Sequence, residues 1–318
     1  MTTVAPAPAS APGRSAYRHQ AFLWDSVEHF LDVTVPFVRE GLDRGEPVMV
    51  ALVAEQWAPL RTALGRRAQR VLNVDMAELG RNPARIIPAW SEFVAAHEGY
   101  RVRGIGGPVW AGRRPAELVE AQIHEAMLNL AVPHDTALWL LCPYDARTLP
   151  PEVLAAALRH HPEVTAHHGP APSAAWAGVD RTAELETHPL PEPTGPVEEL
   201  AFAAGLLSGV RRVARAHAAD AGLPPGRADD LALAVSELAS NSIDHGGGGG
   251  VLRAWRDDEA LVLEVSDHGR LADPLVGRRA PTPDQERGRG LWMVNRLCDL
   301  VQMRTTGSGT VVRVVTWL

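Results

Sequence analysis

The chain has 318 residues and a formal net charge of −7, and its 46% hydrophobic and 22% charged residues are typical of a soluble protein with two globular domains. It contains no lysine, which excludes a Walker A loop, the lysine of conventional protein kinases and Schiff-base catalysis. Its arginines are scattered, which argues against nucleic acid as a direct partner. Its two cysteines, Cys142 and Cys298, lack a neighbouring cysteine for a disulfide framework or a CxxC zinc site.

Residues 1–16 are rich in alanine and proline and predict a disordered tail. They lack the basic and apolar segments of a secretory signal, and no later apolar run approaches the ~20 residues of a membrane span. We therefore expect a cytoplasmic protein without membrane association.

Residues 17–168 alternate short apolar runs with segments of helical spacing. The runs at 48–53, 70–74, 101–105 and 137–142 predict buried strands, with helical patterns between them. This alternation predicts an α/β domain with a mostly parallel sheet covered by helices. In such a sheet, ligands bind beyond the carboxyl ends of the strands.

A proline-rich stretch at 169–196 predicts a semi-rigid linker, and residues 197–318 predict a second domain. This domain has an α+β pattern, with long helices followed by strands of alternating polarity. The helices are expected at Val197–Ala221, Arg227–His245 and 290–298, the strands at 251–256, 260–266, 299–305 and 310–317, and a long loop at 269–287.

Three polar residues share one face of the second predicted helix. Glu237 and Asn241 are four residues apart, and His245 extends the face by another turn. An asparagine oxygen suits Mg²⁺, which takes only one or two protein ligands when nucleotide phosphates complete its shell. The same face is also typical of a solvated helix, so the pattern alone leaves both interpretations open.

A carboxylate and a glycine follow the strand at 260–266. Asp267 can accept a hydrogen bond from an amino group, while Gly269 lets a flat ring such as adenine approach the backbone. A strand that ends in Asp-x-Gly is also typical of an ordinary turn.

Glycines then alternate with arginines at the entrance to a predicted helix. The amides of Gly288 and Gly290 at a positive helix end attract phosphate. Arg287 and Arg289 add cations that can bind phosphate in a bidentate manner. Thr310 opens the last strand after a glycine, which by itself is a common hairpin feature.

Taken in order, ELASNSIDHG, SDHG, GRGL and GT resemble the sequence boxes of the GHKL ATPase superfamily over about 197–318. The glutamate that opens ELASN and the GRGL form resemble the anti-sigma-factor serine kinases. The resemblance implies a Bergerat-type, two-layer α+β sandwich that binds ATP and Mg²⁺. Its nucleotide site is expected to contain Asn241 as the Mg²⁺ ligand together with His245, Asp267, Gly269, Arg287, Gly288, Arg289, Gly290, Leu291 and Thr310.

The same resemblance implies a catalytic base and protein partners. Glu237 matches the family's general base, which takes a proton from a serine of a STAS-type anti-anti-sigma factor. The domain is also expected to sequester a sigma factor, and a homodimer is expected by analogy. The sequence departs from the family at Leu271, where many relatives have a second glycine, and Arg287 is offset from the lid arginine of active kinases.

Two alternatives remain open. The departures favour a non-catalytic module in which nucleotide merely orders the domain for partner capture. Histidine kinases share the ATPase domain, but they need a phosphoacceptor histidine on a helix directly before it. The pair His124–Glu125 lies in the first domain, on the far side of the proline-rich linker.

In the first domain, HQAFLW, FVREGLDRGEPVMV, LNVDMAELGRNPARIIPAW and LLCPYDARTLP resemble the MEDS sensory domain over about 17–165. The resemblance implies a sensor, with a small organic molecule as its ligand, that controls the second domain. His19, Cys142 and Tyr144 are expected at the ligand site, with core packing as their alternative role. His160 and His161 are interpreted as helix-end residues rather than ligands.

Overall fold

Each half of the chain folds around its own β-sheet. The structure is a computed structural model, and it describes residues 16–166, 169–179, 189–281 and 288–318. The predicted tail therefore lies outside the described residues, except for Ala16. No helix in the described ranges is both long and apolar enough to cross a membrane. The chain divides into two units, Met1–Arg181 and Thr182–Leu318.

The first unit is an α/β fold. In chain order, its strands and α-helices are β1 (Arg18–Trp24), α1 (Val27–Asp43), β2 (Val48–Leu52), α2 (Ala54–Leu64), β3 (Leu72–Asp75), α3 (Met76–Leu79), α4 (Ile86–Ala96), β4 (Val102–Gly106), α5 (Pro115–Ala131), β5 (Leu138–Asp145), α6 (Pro151–His160), β6 (Glu163–Ala166) and β7 (Gly169–Pro172). The described strands form one sheet in the order β3-β2-β4-β5-β1-β6-β7. Neighbouring strands are parallel except β6 and β7, which confirms the predicted fold class.

The central strands are buried because their side chains are apolar or small. All five residues of β2 are buried, and β4 carries glycines where α4 packs against it. A Cβ at Gly104 would lie 2.5 Å from Cζ3 of Trp90. The glycine therefore lets the indole of α4 lie directly on the sheet.

The GLxxGEPV motif, residues 41–48, positions a buried arginine. Arg103 of β4 is 1% exposed, and its Nε donates to Oε2 of Glu46 at 2.5 Å while its Nη1 donates to the Phe37 carbonyl oxygen at 2.8 Å. A Cβ at Gly41 would lie 2.9 Å from Cδ of Arg103, so this position has no room for a side chain. Gly45 turns the chain with a φ of 74°. The motif therefore joins the end of α1 to β4 through a buried ion pair.

The second unit is an α+β sandwich. Its elements are β8 (Glu198–Ala203), α7 (Leu207–Asp220), α8 (Pro225–His245), β9 (Gly249–Arg256), β10 (Ala260–Asp267), α9 (Gly290–Leu297), β11 (Leu300–Thr306) and β12 (Gly309–Trp317). The described strands pair antiparallel in the order β11-β12-β10-β9-β8. Apolar side chains of the helices and of one sheet face, such as Val210, Val235 and Leu263, share one core. The predicted two-layer fold is confirmed.

The helix predicted over Val197–Ala221 is wrong at its beginning. Glu198–Ala203 is strand β8, which pairs with β9 at the edge of the sheet, and α7 begins only at Leu207. Within β8, Leu200 and Phe202 face the core while their neighbours are exposed, which is a strand period. Gly205, with a φ of 87°, then separates the strand from the helix.

The sheet face opposite the helices carries an ion-pair network. Glu264 of β10 is 4% exposed and accepts hydrogen bonds from Nη1 of Arg253 at 3.1 Å and from Nη2 of Arg313 at 2.6 Å. Arg313 also donates to the Pro191 carbonyl oxygen at 3.0 Å, and Arg253 donates to Oε2 of Glu192 at 3.0 Å. The chain at 191–192 is therefore bound to this sheet.

Parts of the stretch predicted as a linker, 169–196, are bound to one or the other of the two sheets. Gly169–Pro172 forms β7 and pairs with β6 in the first sheet, because an edge strand tolerates proline. Residues 191–192 contact the second sheet, and residues 180–188 lie outside the described residues. The stretch that connects the two sheets is therefore shorter than predicted.

Candidate functional site

A cavity of about 400 Å³ lies between α8, the loop after β10 and the beginning of α9. The elements around it bring together the motifs that are separated in the sequence. The predicted site residues that line it are Asn241, His245, Asp267, Gly269, Gly288, Gly290, Leu291 and Thr310.

The carboxylate of Asp267 is fixed at one end of the cavity by hydrogen bonds to both of its oxygens. Oγ of Ser242 donates to Oδ2 at 2.6 Å, and the backbone N–H of Gly269 donates to Oδ1 at 2.8 Å. Oγ1 of Thr310, which pairs with Asp267 across β10 and β12, donates to the Gly269 carbonyl oxygen at 2.9 Å. The carboxylate therefore has a defined orientation before any ligand binds.

Glycines let the end of α8 approach the loop after β10 closely. A Cβ at Gly246 would lie 2.4 Å from Cγ of Asp267, and a Cβ at Gly269 would lie 2.7 Å from the His245 carbonyl oxygen. The backbone N–H of His268 donates to the Gly246 carbonyl oxygen at 3.2 Å. The two backbones thus meet without side chains between them, and the approach of an adenine ring to Gly269 stays a prediction.

At the other end of the cavity, α8 meets the beginning of α9. A Cβ at Gly290 would lie 3.0 Å from Oε2 of Glu237 and 3.3 Å from Nδ2 of Asn241. Glu237 and Asn241 are both half-buried, so their side chains are held beside the glycine rather than extended into water. Gly288, two residues before Gly290, has a φ of 85° and turns the chain into α9. The predicted polar face therefore points at a helix N-terminus.

This arrangement fits a nucleotide with bound Mg²⁺. Asn241 supplies one amide oxygen, which is enough when phosphates and water complete the octahedral shell. Gly290 leaves open the space that a Cβ would fill, and the N-terminal amides of α9 favour anions. Asn241 would hold the metal, which would neutralise phosphate charge there.

Other predicted residues have different positions. Arg287 lies outside the described residues, and Arg289 is the N-cap of α9 and is not among the residues that line the cavity. His245 is exposed at the rim. Leu271, at the position of the missing second glycine, forms part of the cavity wall.

Sequence reasoning missed several residues of the site. Ser242 was overlooked because its role depends on α8 packing against the end of β10. Arg270 and Asp273 line the cavity from the loop after Gly269, and the only signal for them was their place in a loop rich in glycine, proline and arginine. Near its middle, this loop is bound to α9, where Nδ2 of Asn295 donates to the Gly277 carbonyl oxygen at 3.0 Å.

In the first unit, two of the three predicted ligand-site residues are in contact. Sγ of Cys142 lies 3.5 Å from Nε2 of His19, and both side chains are 1% exposed. The Tyr144 ring lies 5.7 Å from the ring of His161. Burial raises the pKa of the Cys142 thiol and of the Tyr144 hydroxyl, whereas burial and the neighbouring His161 lower the pKa of His19.

The interpretation of His161 as a helix-end residue was incomplete. It follows the last turn of α6, but its ring is fully buried and lies 2.8 Å, through Nε2, from Oε2 of Glu125. For Glu125 of α5, the sequence indicates no more than its position next to His124. No local pattern could reveal this cluster, because its members come from four separate parts of the chain.

The antiparallel sheet with helices on one face, and the convergence of the Asn241 face, Asp267 and the glycine loop at one cavity, define a GHKL-type ATPase fold. A separate, mostly parallel α/β unit precedes it.

Comparison with known proteins agrees with this division. The profile of the MEDS domain, the methanogen/methylotroph, DcmR sensory domain, matches residues 18–162, and the profile of the histidine kinase-like ATPase domain matches residues 200–316. The chain thus joins a MEDS sensory domain to a histidine kinase-like ATPase domain.

A solved structure of the RsbU and RsbW domains of Rv1364c from Mycobacterium tuberculosis is similar to part of the chain, with 20% sequence identity and a TM-score of 0.30. The alignment covers 38% of this chain and 32% of that chain, so this chain spans about a third of its length. No curated protein matches the chain.

Proposed function

We propose that the protein is a nucleotide-dependent regulator of transcription. Its ATPase domain binds ATP and Mg²⁺, sequesters a sigma factor, and phosphorylates a serine of a STAS-type anti-anti-sigma factor, under control of the sensory domain. The observation that carries this proposal is that Asp267 and Asn241 line one cavity, with Glu237 beside Asn241 where α8 meets Gly290. The ELASN and GRGL sequences support the anti-sigma branch of the superfamily by resemblance.

Asp267 suits the adenine end of this cavity. Each of its oxygens accepts one hydrogen bond from the protein, and a carboxylate oxygen has two acceptor positions. The free positions can accept from the exocyclic amino group of adenine. Apolar side chains of the wall, including Leu238, Val265 and Leu291, provide surfaces for the ring.

Glu237 suits the role of general base at the phosphate end. ATP, when bound, supplies the γ-phosphoryl group. Glu237 accepts the proton of the serine hydroxyl as the serine oxygen forms a bond to phosphorus and the bond to the leaving ADP oxygen breaks. A carboxylate held beside Asn241 and Gly290 is suitably placed for this, because those residues mark the phosphate end.

A non-catalytic binding module is the second candidate. The observation that favours it is Leu271, an apolar side chain in the cavity wall where many relatives have glycine. A histidine kinase is disfavoured because the ring of His124 is fully buried within α5, where a phosphate donor cannot reach it.

An assay of phosphate transfer distinguishes a serine kinase from a non-catalytic binding module. Wild-type protein, with [γ-³²P]ATP and Mg²⁺, is expected to label a STAS-type protein from the same organism on serine. Glu237→Gln should lower the transfer rate by roughly 100-fold while leaving ATP affinity unchanged, since the carboxylate acts on the hydroxyl.

The matched control is Asp244→Asn, which changes an exposed acidic residue on the same helix, whereas Glu237 is half-buried beside Gly290. Its transfer rate should equal that of the wild type. If the wild type binds ATP and captures a sigma factor but labels no STAS-type protein, the binding module is the correct assignment.

A further inference from the structure

Four side chains that can bind a metal ion meet in the interior of the sensory unit. They are His19 of β1, Glu125 of α5, Cys142 of β5 and His161, which follows α6. Each is at most 1% exposed, and one potential ligand atom from each lies within 4.8 Å of the others. The ATPase cavity uses none of the four, and two of them, His19 and Cys142, are residues expected at the ligand site of the sensory domain.

The distances suit a small coordination shell. Oε2 of Glu125 lies 2.8 Å from Nε2 of His161 and 3.2 Å from Nε2 of His19, which in turn lies 3.5 Å from Sγ of Cys142. A tetrahedral ion with bonds of about 2.0–2.3 Å needs ligand atoms roughly 3.3–3.8 Å apart. Small side-chain movements would bring all four atoms to that spacing.

Hydrogen bonds fix the orientation of both imidazoles. Nδ1 of His161 lies 2.7 Å from the Ala157 carbonyl oxygen, and Nδ1 of His19 lies 3.0 Å from Oδ1 of Asn129. The amide of Asn129 cannot be reversed, because its Nδ2 donates to the His160 carbonyl oxygen at 2.8 Å. Carbonyl oxygens only accept, so each ring carries a proton on Nδ1, and Nε2 is the ring nitrogen on the side of Glu125.

Nε2 of His19 is within hydrogen-bond distance of Oε2 of Glu125, at 3.2 Å, but two other polar atoms of the described cluster have no hydrogen bond. The contact between His161 Nε2 and Glu125 does not have hydrogen-bond geometry, and, among the described residues, Oε1 of Glu125 has no hydrogen-bond partner. Metal-bound histidines commonly donate their other ring N–H to a carbonyl or carboxylate, which is the arrangement of both rings here.

The charges of the four groups balance those of a divalent ion. The rings of His19 and His161 lie 4.0 Å apart between centroids, so protonation of both would place two buried positive charges in contact. A divalent cation with the Glu125 carboxylate and the Cys142 thiolate gives a cluster with no net charge. The metal would displace the thiol proton, as coordinated thiols are deprotonated.

We propose that His19, Glu125, Cys142 and His161 form a binding site for a divalent transition metal of intermediate softness, with Zn²⁺ as the preferred ion. Two imidazoles, one thiolate and one carboxylate are the ligand types that zinc takes in proteins. Because the protein supplies all four ligands, the ion would connect β1, α5 and β5 to His161, which follows α6.

Cobalt provides a direct test on the full-length protein. After removal of metal with a chelator, Co²⁺ should bind at one equivalent per chain and give the visible absorption of a tetrahedral ion together with a thiolate charge-transfer band. Zn²⁺ should displace the cobalt and remove both signals. The protein as purified should contain close to one equivalent of zinc by elemental analysis.

Variants assign the site. Cys142→Ser should lose the thiolate band. Both Cys142→Ser and His161→Gln should lower the affinity for Co²⁺ by on the order of 100-fold. Cys298→Ser, which changes the buried cysteine of the other unit, should retain the full spectrum. The proposal is overturned if folded wild-type protein shows no saturable Co²⁺ binding, or if Cys142→Ser gives the same charge-transfer band as the wild type.

Discussion

Individual glycines decide how closely the backbones around the nucleotide cavity approach each other. A Cβ at Gly309, whose φ is 141°, would lie 1.8 Å from the Asp267 carbonyl oxygen. Gly246 and Gly269 are similarly confined on the other side of Asp267. The orientation of one carboxylate therefore depends on three positions that tolerate no side chain.

A residue-scale prediction concerns the buried ion pair of the GLxxGEPV motif. Glu46→Gln removes the negative charge beside Arg103, so the positive charge of the guanidinium stays buried without an opposite charge next to it. Breaking a buried pair in this way costs about 3 kcal/mol of folding free energy. Urea unfolding of the sensory unit, followed by tryptophan fluorescence, should detect this loss.

The matched control is Glu40→Gln. Oε2 of Glu40 lies 3.7 Å from Nη1 of the same arginine, but its side chain is 55% exposed, so its removal should change the free energy of unfolding by less than about 0.5 kcal/mol. Equal effects of the two substitutions would show that burial of the Arg103–Glu46 pair is not what stabilises this motif.

At the scale of elements, the segment before β8 belongs with the ATPase sheet. Pro191 and Glu192 hold Arg313 and Arg253, whose side chains lie on the sheet face opposite the helices. A fragment of residues 189–318 should therefore be more stable than a fragment of residues 197–318. The difference should be about 1–2 kcal/mol, because the shorter fragment leaves the arginine donors without these partners.

Chemical unfolding of both fragments measures this difference. Glu192→Gln within the longer fragment is the control, and it should change little because the Glu192 side chain is 79% exposed. Equal stability of the two fragments would contradict the assignment of the segment to this sheet.

The sequence alone predicted those parts of the site that depend on local spacing. One helical turn places Glu237 beside Asn241, and a strand end presents Asp267, so the chemistry of these side chains follows from their spacing along the chain. β8 was missed because its apolar residues also fit a helical pattern. Ser242, Glu125 and His161 were missed because their partners come from distant segments, and only tertiary packing brings them together.

At the scale of the whole molecule, two kinds of site lie in separate units. The ATPase cavity is open to a nucleotide, whereas the histidine, cysteine and glutamate cluster is closed to solvent. Under the proposed function, a signal molecule binds two states of the protein with different affinities. That difference sets the largest change that the signal can cause in the affinity for a partner protein. Such couplings are typically ~1–3 kcal/mol.

Calorimetric titration of the whole protein measures whether the cavity binds ATP through Asp267 and Mg²⁺ through Asn241. Wild-type protein should bind one ATP, and omission of Mg²⁺ should weaken binding. Asp267→Asn should lower the binding free energy of ATP and ADP alike by about 2 kcal/mol, or roughly 30-fold in affinity. The amide replaces an acceptor oxygen with an N–H donor, which cannot accept from the amino group of adenine.

Asn241→Ala should weaken ATP binding on the order of 10-fold or more in the presence of Mg²⁺ and have little effect in its absence, because the residue acts on the nucleotide through the metal. Asp244→Asn should bind as the wild type does. Equal ATP affinities of the wild type, Asp267→Asn and Asn241→Ala in the presence of Mg²⁺ would contradict the assignment of this cavity as the nucleotide site.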